Sequence, residues 1–158
     1  MNHASQIDWS WYQFQQLSNI ELYAVLKLRQ EVFIIEQKCI YPDLDGLDLK
    51  ALHLLGFDDK KLMAYLRLIP VTFHKSAHIT FGRIISSKAK RGLGIGKALM
   101  QQAMQYSAEH FPAQNIQLSA QYHLVDFYHN FGFKNISEPY DDDGIMHVDM
   151  LYEQNHGK

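Results

Sequence analysis

The run His78-Ile79-Thr80-Phe81-Gly82-Arg83-Ile84-Ile85, then Ser86-Ser87-Lys88-Ala89-Lys90, then Arg91-Gly92-Leu93-Gly94-Ile95-Gly96-Lys97-Ala98-Leu99-Met100 is the stretch around which the chain is organised. Its first part is rich in Ile, Phe and Thr and reads as a strand. Its middle is small and cationic, a loop. Its last part sets Ile95, Leu99, Ala103 and Tyr106 at helical spacing. Gly92, Gly94 and Gly96 therefore fall where a loop enters a helix. Glycine lets backbone N–H groups approach a ligand, and a helix start offers unpaired N–H groups and partial positive charge. Lys88, Lys90, Arg91 and Lys97 add full charges, so the junction suits a phosphate or pyrophosphate.

Outward from this stretch, 158 residues bound a single domain, taken as 1–158, with a sizeable core. Apolar residues at 47% and aromatics at 13% exclude a disordered chain, and a net charge of −2 argues against a general electrostatic hold on nucleic acid. One cysteine, Cys39, excludes an internal disulfide and fits a reducing compartment. The sequence carries no apolar run of membrane-spanning length and no visible signal peptide, so a cytoplasmic location is expected, with no membrane partner. Nine histidines raise the question of metal, but the closest pair, His74 and His78, spans a loop into a strand without a Cys cluster; no metal site is expected.

Ile7 to Trp11 alternates as a strand, its two Trp read as core filling. Ser18-Asn19-Ile20-Glu21 is a capping box, and Leu22, Val25, Leu26, Val32 and Phe33 supply the stripe of the helix that follows, ending or kinking near Glu36 or Gln37. Pro42 and Gly46 mark an acidic loop holding Asp43, Asp45 and Asp48. Ala51 to Phe57 and Leu62 to Ile69 read as a hairpin turned at Asp58 to Lys61. Asn115 to Ala120 is a buried strand, Leu124 to Asn130 a short helix closed by Gly132, Phe133 to Ile136 a further strand, Glu138 to Gly144 an acidic loop and Ile145 to Tyr152 the last strand. The fold class is α/β (α+β), a mixed sheet of six to seven strands with helices on both faces. The crossover after residue 78 is parallel. Exposed edge strands would let two copies pair as a homodimer.

The glycines do not make a dinucleotide fingerprint, where the third Gly comes one position later, nor a Walker loop, since Gly96-Lys97 is followed by Ala98 with no hydroxyl for Mg²⁺. Arg91-x-x-Gly94-x-Gly96 resembles the pyrophosphate loop of the GCN5-related N-acetyltransferases (GNAT). A second motif lies about thirty residues on: Phe127-Tyr128 and Gly132-Phe133 match that superfamily's Ala-x-x-Phe-Tyr-x-x-x-Gly-Phe, with Leu124 in place of Ala, and Gln121 stands where an Asn is common. Leu28 to Phe33, Glu36-Gln37, Tyr41 to Gly46, His53-Leu54 and Asp143 to His147 resemble the ElaA-like branch, with Met146 where Pro is more usual.

The resemblance implies the GNAT fold and acetyl-CoA as acyl donor; it does not supply the acceptor, which is expected to be a primary amine of an undefined small molecule or peptide. It implies that main-chain amides of Arg91, Gly92, Leu93, Gly94, Ile95, Gly96 and Lys97 hold the diphosphate. Ile84, Ile85 and Ser86 would pair with the pantetheine arm, and Gln121, Phe127 and Tyr128 would border it. Tyr128 is the implied general acid, since a phenol with pKa ~10 is protonated at neutral pH. Glu36, His53 and His147 are the candidate bases; each His alternates with apolar neighbours on its strand and so faces away from them. A water relay is the further alternative. Glu36, Asp43 and Asp45 could line a mouth that attracts a cationic amine, or form a solvated loop; Arg67 and Arg83 could hold an acceptor carboxylate. Two rivals are a non-catalytic CoA- or acyl-CoA-binding sensor and an acyl-homoserine-lactone-type synthase. Tyr128 and the histidines favour the enzyme over the sensor, and the Arg-x-x-Gly-x-Gly loop argues against the synthase.

Overall fold

The fold is taken from a computed structural model that describes residues 6–71, 77–87 and 92–154. Among the described residues, eight strands form one mixed sheet: β1 (Asp8–Gln13), β2 (Leu52–Asp58), β3 (Lys61–Ile69), β4 (Ile79–Ser86), β5 (Ile116–Gln121), β6 (Lys134–Asn135), β7 (Tyr140–Asp142) and β8 (Ile145–Tyr152). The order is β1-β2-β3-β4-β5-β8-β6, with β7 also on β8. All neighbours are antiparallel except β4 and β5, as a strand–helix–strand crossover demands. The α-helices are α1 (Asn19–Arg29), α2 (Ile95–His110) and α3 (Val125–His129). The sheet exceeds the expected six to seven strands because β7 lies inside the stretch read as an acidic loop. Tyr140 to Asp142 pairs with β8 and turns back through Asp143 and Gly144, both at positive φ.

Local chemistry explains the elements. Ser18 and Glu21 cap α1 reciprocally, Oγ accepting from the Glu21 N–H at 3.0 Å and the carboxylate from the Ser18 N–H at 2.8 Å. The β2–β3 hairpin turns without glycine because Asp59 takes the left-handed conformation, φ +56°, that Asp tolerates. Gly56 is needed where Trp9 crosses from β1: a Cβ there would stand 2.5 Å from the indole. Val32, Ile34 and Ile35 after α1 are β-branched and stiff, and the helix widens there into a π-helical segment, Gln30–Glu36, rather than stopping.

The sheet is covered on both faces. Leu54, Leu66 and Phe81 join Ile95, Leu99, Met100 and Ala103 of α2 and Tyr128 of α3 on one side. Leu55, Tyr65 and Ile85 join Val25, Leu28 and Val32 on the α1 side. The buried face of α1 is Val25, Leu28 and Arg29, continued by Val32 in the π segment; Leu22 and Leu26 of the expected stripe are only half-buried. No helix among the described residues is long and apolar enough to cross a membrane.

Candidate functional site

The central feature is a split between β4 and β5. They pair at Ile79 with Ile116, Thr80 with Gln117 and Phe81 with Leu118, and no further. β4 continues to Ser86 and β5 to Gln121, so two strand ends diverge. A bulge lies at the same level: Arg67 of β3 faces Gly82 and Tyr65 faces Ile85, leaving Arg83 and Ile84 opposite Leu66 alone. Arg83 carries φ +50°, a conformation costly for a long side chain and held only by its surroundings. The bulge turns Ile84 toward the α2 side and Ile85 toward the α1 side. Backbone groups at the free edge of β4 thus face a wedge into which an extended chain could pair.

At one end of the wedge α2 begins. Gly94 caps it at φ +80°, its carbonyl taking the first helical bond from Ala98 N–H at 3.1 Å. Gly92 has φ +84° and open space where a Cβ would stand. The helix's first N–H groups point out of this end. Phe127 of α3 lies over Gly96, its ring 3.8 Å from a hypothetical Cβ there. These features fit a diphosphate. Arg91, with Lys88 and Lys90, lies outside the described residues, as does His74 of the histidine pair.

Tyr128 is buried, packed edge-to-face on Phe127 and Phe133. Burial alone pushes its phenol up, with no charge or hydrogen bond of a described residue acting on it. It belongs to the same core cluster as Ile95 and packs on the α2 side with Ile84.

The three candidate bases have different surroundings. His147 on β8 stands beside Gln121 of β5 and Tyr140 of β7. Its Nδ1–H donates to the Ile145 carbonyl at 2.8 Å, which leaves Nε2 as the acceptor in the neutral ring. Glu36 ends the π segment, half-buried. His53 is another matter: it is 1% exposed and separated from β4 by β3. Nε2–H donates to the Asp48 carbonyl at 2.9 Å, so Nδ1 accepts from the Tyr65 hydroxyl at 2.6 Å. Burial depresses its pKa and keeps it neutral. Facing away from its apolar neighbours carries His53 into a closed interior, not into an open cleft.

The acidic loop is exposed at Leu44, Asp45 and Gly46, but its three aspartates are not free charges, because three arginines neutralise them. Arg29 binds Asp43 Oδ2 at 2.9 Å and Asp48 Oδ1 at 2.7 Å. Arg67 clasps both oxygens of Asp45 at 2.8 and 2.9 Å and reaches Asp48 at 3.1 Å. Arg83 donates through Nε to Asp43 Oδ1 at 2.8 Å. Arg67 and Arg83 are therefore engaged with carboxylates of their own chain. Burial resists ionisation of Asp45 and Asp48, yet the guanidinium hydrogen bonds win and hold both below the usual carboxylate range. Arg29 was missed in the sequence; its signal is its position four after Val25 and three before Val32, on the buried stripe. Cys39 Sγ donates to the Asp143 carbonyl at 3.1 Å and ties this loop to the β7–β8 turn.

Comparison with known proteins agrees with this geometry. The acetyltransferase (GNAT) domain model matches residues 28–154. A UPF0039 protein of Synechocystis is 44% identical over 93% of this chain and 96% of its own. An acyl-CoA N-acyltransferase from Pseudomonas aeruginosa is 40% identical at TM-score 0.88, and ElaA of Escherichia coli 38% at 0.87, each covering 93% of this chain and 99% of the solved one. A CoA-dependent acyl-homoserine lactone synthase reaches TM-score 0.76 at 14% identity over 92% of this chain and 82% of its own, a likeness of fold alone. A sheet split beside a glycine-capped helix, with this family match over most of the chain, makes it a member of the GNAT acetyltransferase family, in the branch that holds ElaA and the UPF0039 proteins.

Proposed function

We propose that the chain moves an acetyl group from acetyl-CoA to a primary amine of a small molecule or peptide, by direct attack with both substrates bound. The observation that carries this reading is the split between β4 and β5 beginning after Phe81 and Leu118, with the Gly94-capped start of α2 beside it. Main-chain amides from Gly92 to Lys97 would hold the diphosphate. The part of β4 that β5 does not pair, at Ile84, Ile85 and Ser86, would pair with the pantetheine arm, bordered by Gln121 and Phe127. Acetyl-CoA supplies an activated carbonyl and a thiol leaving group.

Tyr128 is the proposed proton donor to that thiol. Burial keeps the phenol protonated at neutral pH, so it donates and does not act as a base. Among the sequence candidates, Nε2 of His147 has the free acceptor geometry of a base, and Glu36 is the second choice. His53 is withdrawn from that role and reassigned to holding Asp48 and Tyr65.

The test is calorimetry of acetyl-CoA binding followed by thiol release across a library of primary amines. The unaltered protein should bind, and Gly94→Val should lose binding at least tenfold while far-UV circular dichroism retains the helix signal. Equal affinity in the variant would reject the loop's role. Binding with no thiol release from any amine would favour a non-catalytic acyl-CoA sensor.

A further inference from the structure

We propose that Ser119, Tyr140 and Asp149 form a proton relay that draws the proton from the acceptor amine in place of a single base such as His147 or Glu36, resting on the reading that the split between β4 and β5 holds the acyl donor. Three strands converge to build it. Ser119 on β5 and Asp149 on β8 are direct cross-strand partners, and Tyr140 on β7 reaches both. The Tyr140 oxygen lies 2.6 Å from Ser119 Oγ and 2.6 Å from Asp149 Oδ1. A phenol has one proton, and an ionised carboxylate only accepts. Tyr140 therefore donates to Asp149, in the short range of charge-assisted O–H···O⁻ bonds, and Ser119 donates to Tyr140. The Ser119 oxygen keeps its lone pairs for an incoming donor. The main chain of Asp149 is fixed in turn, its N–H donating to Ser137 Oγ at 2.9 Å.

Position gives the chain its purpose. Ser119 is the first β5 residue past the last β4–β5 pair, and it is exposed. The residue across the gap is Gly82, directly before the bulge at Arg83. Alternation along β5 sends Leu118 and Ala120 into the core under α2 and Ser119 to the α1 side, where the loop at Asp43 and the β7–β8 turn meet through Cys39. The charged and titratable groups near Tyr140 are Asp149 and His147 on β8 and Asp141 and Asp142 on its own strand; β5 contributes none. The arrangement is thus acidic, suited to receive a proton.

The steps balance. An acceptor ammonium loses one proton to Ser119 Oγ as Ser119 passes its own to Tyr140 and Tyr140 passes its own to Asp149, which returns it to solvent. The neutral nitrogen then forms the C–N bond as the C–S bond breaks. The nitrogen's second proton replaces the one that Tyr128 gives to the departing sulfur.

Two measurements decide. In the protein alone, with tyrosine labelled at ¹³Cζ and Tyr140 assigned by Tyr140→Phe, Asp149→Asn should move the Tyr140 phenol ionisation to lower pH by about a unit, and Ser119→Ala should move it higher. No movement in Asp149→Asn would overturn the relay. With acetyl-CoA and a panel of ethanolamine, putrescine, 2-phenylethylamine and glycinamide, Tyr140→Phe should cut kcat about tenfold or more at pH 7. The loss should fade as pH nears the amine's own pKa, calorimetric acetyl-CoA affinity should hold, and Ser119→Thr should keep the activity that Ser119→Ala loses. A loss equal at every pH would mean the three groups only tie strands together, and would overturn the proposal. An unaltered protein that fails to bind acetyl-CoA would instead reject the acyltransfer reading, while the phenol titration would still report on the hydrogen-bonded chain.

Discussion

Tyr128 and Ser119 sit on opposite faces of the sheet beside the split, and the difference in their burial divides the chemistry between them. A phenol enclosed by Phe127 and Phe133 gains nothing from ionising, so it keeps a proton for a leaving sulfur. A serine at an open strand end with its own hydroxyl proton pointed inward can accept one. Tyr128→Phe removes one oxygen from a packed site and leaves the ring contacts intact. We expect kcat to fall at least about tenfold with acetyl-CoA affinity unchanged, read by steady-state thiol release beside calorimetry; equal kcat would move the proton donor elsewhere. The motif Phe127-Tyr128 made this residue legible in sequence. Ser119, Tyr140 and Asp149 were not legible, because they are spread over three strands and only the register of β5 and β7 on β8 brings them together.

At the scale of elements, the loop from Asp43 to Asp48 is held by charge rather than by an apolar core. Its acids were visible in sequence, but their partners were not: Arg29, Arg67 and Arg83 come from α1, β3 and β4. Without them the acids read as an open mouth; with them the loop is electrically closed and pins the bulge at Arg83. Such a network is costly to break on one side. Asp48→Asn leaves the buried guanidinium of Arg29 short of a charge and should destabilise the fold by about 3–5 kcal/mol in urea unfolding. The pH dependence has a definite sign. His53 is depressed by burial in the folded chain, so below about pH 6.5 the unfolded chain takes a proton that the folded one refuses, and stability falls as pH falls. Asp45 and Asp48 are also lowered, so their contribution is complete above about pH 4 and is lost on further acidification. Urea midpoints at pH 7.5, 5.5 and 3.5 should therefore decline in two stages, and His53→Gln should flatten the first. A first stage unchanged in that variant would show that His53 is not its source.

For the molecule as a whole, the parallel β4–β5 crossover, the hairpin and the helix-covered mixed sheet were readable from periodicity and turn residues. The divergence of β4 from β5 was not, because Gly82 signals at most a bulge, and where the strand turns at Arg83 depends on tertiary contacts. The two faces of the sheet carry separate apolar clusters, one under α2 and α3 and one under α1. They share β3, where Leu66 faces the first and Tyr65 the second, so neither cluster can form on an ordered sheet without setting the strand that supports the other. That coupling predicts one cooperative transition. Leu66→Ala and Leu55→Ala, each removing a fully buried side chain from a different cluster, should each cost about 2–5 kcal/mol. Both should shift the tryptophan fluorescence of Trp9 and Trp11 and the far-UV circular dichroism to the same urea midpoint. If Leu55→Ala moved the dichroism midpoint while the fluorescence midpoint stayed, the α1 side would melt on its own, and the loop, the bulge and the wedge they shape would be a separable layer over a sturdier α2 core.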